Sequence, residues 1–65
     1  MDPNATVQLI NTAESFEIAI DHAQDLRDWL CSGGFQPDWN KMTTFAWKAL
    51  MAVDYRYARR LHNNA

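Results

Sequence analysis

The sequence predicts an all-α protein, a helical hairpin preceded by a short N-terminal helix, and three observations predict it. Apolar residues recur at helical spacing through two long segments, a proline-led start signal opens the chain, and the only glycines, Gly33 and Gly34, stand together between the long segments. Helices are expected at about 3–10, 12–32 and 39–61 within one domain covering residues 1–65. The second and third should pair antiparallel across the glycine turn, with the first docked on them.

The first helix rests on Asp2-Pro3-Asn4-Ala5. Asp2 can cap with its carboxylate, and Pro3 suits the first helical position, where a missing N–H costs nothing. Val7, Leu9 and Ile10 follow, a segment too short to persist alone, since isolated helices under about 12 residues are marginal in water. A break is expected at Asn11-Thr12, because Asn11 with Glu14 three residues later reads as a capping box for the next helix.

In the second helix Phe16, Ile20, Ala23, Leu26 or Arg27, and Leu30 form an apolar stripe widened by Ala19, while Glu14, Glu17, Asp21, Gln24, Asp25 and Asp28 lie mostly away from it. Ile18 and Trp29 stand apart from that stripe, on a flank with His22 and Asp25, and mark a candidate partner surface. Gly33 and Gly34 supply positive φ for a helix stop, and Phe35 can fold back on the last turn and, with Trp29 and Trp39, close the end of the core. Pro37 keeps Gln36 out of helical space, and Asp38 or Asn40 would cap the third helix.

That helix carries Met42, Phe45, Ala46, Ala49, Leu50, Val53 and Tyr57 on one stripe, with Trp47, Met51 and Tyr55 adjoining. Apolar residues cover more than half its circumference, which in so short a chain leaves surface exposed in a monomer. A homodimer forming a small bundle is therefore expected. Size points the same way, because a domain of this length buries only about 60% of the surface of its unfolded chain. Cys31 is alone, so no disulfide can form within one chain, and paired Cys and His ligands for a structural metal are missing. Dense aromatic packing or self-association must supply the stability.

The net charge of −2 and pI near 5.4 argue against a general nucleic-acid binder. The charges are nonetheless segregated: residues 1–32 hold six acids against Arg27, a net of −5, and residues 33–65 hold five bases against Asp38 and Asp54, a net of +3. Folding the acidic half beside the basic half would neutralise both, and the alternative is a bipolar surface offered to a partner. With no basic leader, no long apolar run and a free thiol, a soluble, cytoplasmic protein is expected, without membrane contact.

The Asp2-Pro3-Asn4 start and the run Trp29-Leu30-x-x-Gly33-Gly34-Phe35-x-Pro37-x-Trp39 resemble a group of very short proteins from bacteria, notably planctomycetes and actinobacteria, and from their phages. The resemblance covers about the first 39 residues. It implies a helical hairpin and a bacterial or phage setting, without an activity. Cys31 inside the turn and the long aromatic third helix depart from that pattern.

No catalytic constellation is visible. Cys31 lies at a helix C-terminus, the wrong end for an activated nucleophile, and His22 with Asp21 and Asp25 is too sparse for a metal shell. The run Tyr55-Arg56-Tyr57-Ala58-Arg59-Arg60 interleaves aromatics with arginines, a pairing that stacks on bases and neutralises phosphates. Arg56, Arg59 and Arg60 also complement the dipole of a helix end without any ligand. The expected function is that of a small non-enzymatic adaptor or modulator, phage-encoded, binding a protein partner through Ile18, Trp29, Trp39, Trp47, Met51 and Tyr55 and needing no cofactor or metal. The alternative is a nucleic-acid accessory protein using Arg56, Arg59 and Arg60.

Overall fold

The structure, a computed structural model, describes residues 1–53. Among them are three α-helices and no strand: α1 (Pro3–Asn11), α2 (Phe16–Cys31) and α3, which covers 44–53 of the described chain, preceded by one 3-10 turn at Trp39–Lys41. The protein is all-α. Tyr55, Tyr57, Arg56, Arg59, Arg60, His62 and the expected helix end near residue 61 lie outside the described residues.

α1 starts as its sequence demands. Asp2 is extended, its carboxylate accepts from the Asn4 N–H at 3.0 Å, and Pro3 opens the helix. Pro3, Thr6, Val7 and Ile10 are buried at helical spacing, and α1 packs along α2 through this face.

α2 begins later than expected. Ser15, not Asn11, is the cap: its backbone is extended and its hydroxyl accepts from the Ile18 N–H at 3.2 Å. Asn11 closes α1 instead, and its side-chain amide is engaged elsewhere. Its Nδ2 donates to the Lys41 carbonyl at 2.8 Å, and its Oδ1 accepts from the Thr43 N–H at 3.2 Å and the Thr43 hydroxyl at 3.1 Å. An amide committed to three distant bonds cannot also cap the next helix.

Within α2 the buried side chains are Ala19, Ile20, Ala23 and Leu26. They join Val7 and Ile10 of α1, and Met42, Ala46, Ala49, Leu50 and Val53 from further on, in one core. Ala19, Ala23, Ala46 and Ala49 are wholly buried, and such small residues let helix axes approach closely. Ile10, Leu26 and Pro3 are the large anchors.

The end of α2 is a Schellman cap. Gly33 has φ +87°, its N–H donates to the Leu30 carbonyl at 3.2 Å, and the Gly34 N–H donates to the Trp29 carbonyl at 3.0 Å. The path beyond differs from the expected antiparallel pairing across the glycine turn. The Asp38 N–H donates to Asn4 Oδ1 at 2.7 Å, near the start of α1, and Lys41 and Thr43 bond Asn11 at its end. The chain therefore returns beside α1 as a strap. Phe45 then meets Phe16 edge to face, with ring centroids 5.8 Å apart, so α3 starts beside the start of α2 and not beside its end.

Chain length permits this return. The 16 residues of α2 span about 24 Å at 1.5 Å each, and the stretch from Gly33 to Phe45 can reach about 40 Å when extended. The strap also moves the start of the third helix. Asp38 does cap, accepting from the Asn40 N–H at 3.1 Å, but only a single 3-10 turn. Met42, buried with extended dihedrals, breaks the helical path, and Thr43 caps α3 by accepting from the Ala46 N–H at 3.1 Å.

Candidate partner interface

Two aromatic groups dominate the surface, and the elements just described position both. The first sits on the α2 cap. Trp29 donates its indole N–H to the Phe35 carbonyl at 3.0 Å, and the rings meet edge to face at 5.6 Å and 87°. The indole also lies over Gly34, where a Cβ would overlap its Cε2, Nε1 and Cδ2 atoms. Gly34 is thus required by close approach, and Gly33 by its dihedral. Trp29 and Phe35 pair as a lid on the cap, yet Phe35 stays 61% exposed and does not close the core as expected.

The second group joins the strap to α3. Trp39 and Trp47 stack with centroids 5.4 Å apart and planes 26° from parallel. Trp39 packs partly against the core and donates its indole N–H to Gln36 Oε1 at 3.1 Å. Trp47 is 40% exposed, and Met51, one turn along the same side of α3, is 66% exposed. Trp39, Trp47 and Met51 therefore form one surface. Its geometry depends on the strap, because the bonds from Asn4 and Asn11 fix the segment that carries Trp39.

Ile18 is 41% exposed in the first turn of α2. It shares a flank with Trp29 but lies about 16 Å from it along the axis, and Trp29 turns its ring onto Gly34 and Phe35, so the two do not make one patch. Phe16, also 41% exposed, stands two residues before Ile18 and so on the other side of α2, where its ring meets Phe45.

The charged side chains complete the picture. Glu17, Asp21, Asp25 and Asp28 are exposed along α2, Lys41 and Lys48 are exposed beside the tryptophan stack in sequence, and none of these six makes an ion pair among the described residues. Cys31 is exposed at the last position of α2. Among the described residues no three His, Cys, Asp or Glu side chains are grouped to hold a metal ion. No helix there is long and apolar enough to cross a membrane.

The sequence reading passed over the two asparagine clamps and the Thr43 cap. Thr43 had a legible signal, a threonine just before an apolar helical run. Asn4 and Asn11 had none, because their partners lie 30 to 34 residues away. Comparison with protein-family models, with characterised proteins and with solved structures found no match to this chain.

Proposed function

We propose that this protein is a small non-enzymatic binding module, an adaptor or modulator of bacterial or phage origin, that works by burying the Trp39–Trp47–Met51 surface against a helix of a protein partner. The observation that supports this reading is the stacked tryptophan pair held at the surface with Trp47 40% exposed. Tryptophan dominates interface energetics because a rigid, broad ring buries much apolar area at small entropic cost. Ile18 lies on another face and serves at most a second contact. Binding is tested by capture from a bacterial host extract followed by titration of the purified partner. Trp47→Ala should weaken that binding at least tenfold, whereas Phe35→Ala should leave it unchanged; the reverse pattern would sink the reading.

A second reading, a nucleic-acid accessory role, is favoured only by the interleaving of Tyr55, Arg56, Tyr57, Arg59 and Arg60 in the sequence. Residues 1–53 weigh against it, holding seven acids and three bases, a net of −4. A salt-sensitive mobility shift lost on replacing Arg56, Arg59 and Arg60 would support it. No shift at low salt would end it.

A further inference from the structure

We infer that the occupant of the tryptophan surface is a second copy of this chain, with α2 of one copy packed on Trp47, Lys48 and Met51 of the other. This rests on reading the Trp39–Trp47–Met51 surface as a contact face, and it adds the identity of what covers it. The occupant must answer both the apolar and the charged character of that face. Trp47 and Met51 offer apolar surface, and Lys48, next to Trp47 in α3, with Lys41, two residues after Trp39 in the strap, are exposed and without ion pairs among the described residues and so favour acids.

The outer side of α2 carries that complement. Ile18 is 41% exposed there, among the exposed Glu17, Asp21 and Asp25, which also lack ion pairs among the described residues. Pairing α3 with α3 would instead set lysine against lysine. Opposed potentials favour the first arrangement and penalise the second. The Phe16–Phe45 contact sets the starts of α2 and α3 side by side, so one copy presents both halves of the interface from neighbouring elements. Two copies then exchange α2-to-α3 contacts reciprocally about a two-fold axis, which closes the assembly at a dimer and not a filament.

Sedimentation velocity on the full chain at high micromolar concentration and low salt tests this, with circular dichroism to check that each variant folds. The wild type should be dimeric. Lys41→Glu with Lys48→Glu, and separately Asp21→Lys with Asp25→Lys, should each lower self-affinity at least tenfold, since like charges then face each other at both contacts. An equimolar mixture of the two variants should restore the dimer, because each then supplies the sign the other needs. A monomeric wild type, charge variants that still dimerise, or a mixture that stays monomeric would overturn the inference. A dimer lost with Trp47→Ala but indifferent to charge reversal would also overturn it. If the wild type is monomeric yet another protein binds it in a Trp47-dependent way, the contact-face reading survives and the occupant is wrong; if Trp47→Ala binds as well as wild type, that reading itself fails.

Discussion

Trp29 and Trp47 belong to the same residue type and each meets another aromatic ring, yet the protein uses them in opposite ways. Trp29 closes on its own surroundings: the ring covers Gly34, the edge meets Phe35, and the indole N–H is satisfied by a backbone carbonyl six residues on. Trp47 lies flat against Trp39, which another part of the chain delivers, and its remaining surface faces outward. The first arrangement is a helix stop built from local contacts. The second is an exposed plane whose geometry is set from afar, and an exposed plane is what a partner can use.

Breaking the cap should produce the largest effect. Gly34→Ala forces a methyl group into the Trp29 indole, so a loss of about 3 kcal/mol is expected from overpacking and displaced ring contacts, read as the urea midpoint. Gly33→Ala meets no neighbour within 4 Å and suffers only its left-handed backbone, so about 1 kcal/mol is expected. Equal losses for the two would show that Trp29 does not press on Gly34.

Trp47→Ala should separate binding from folding. The side chain is 40% exposed, so its stability cost should stay near 1 kcal/mol, while partner affinity falls by about 2 kcal/mol or more. Titration and denaturation of the same variant measure both. Asn11→Ala tests whether the tryptophan stack depends on the strap. It removes three bonds to Lys41 and Thr43 at a partly exposed site, so a loss of about 1 to 2 kcal/mol is expected, with a change in tryptophan fluorescence as Trp39 loosens. An unchanged spectrum would break the link between clamp and stack. The smallest effect belongs to Ser15→Ala, about 1 kcal/mol from loss of the α2 cap, with neither aromatic group disturbed.

The contrast also explains how far the residues alone could be read. The Asp2 cap, the Gly33 stop and the buried stripe through Ala46, Ala49, Leu50 and Val53 were legible, since each is decided within a few residues. The α2 start was misplaced because Asn11 and Ser15 are both good caps, and only the distant bonds of Asn11 remove it from that role. Trp39 and Trp47 were recognised as contact candidates by residue type, whereas their stacking was not, because it needs the strap to lie where it does.

By itself the sequence determined an all-α chain, the chemistry that starts and stops its helices, and the side chains that make its core, because capping and helical periodicity act over one or two turns. The tertiary structure alone decided that the segment after the glycine turn returns beside α1, that α3 starts next to Phe16, and that one tryptophan is consumed in a cap while another is left facing out. The physical reason is range. The bonds from Asn4 and Asn11 join residues 30 to 34 positions apart, and no local pattern in the chain encodes a partner at that distance.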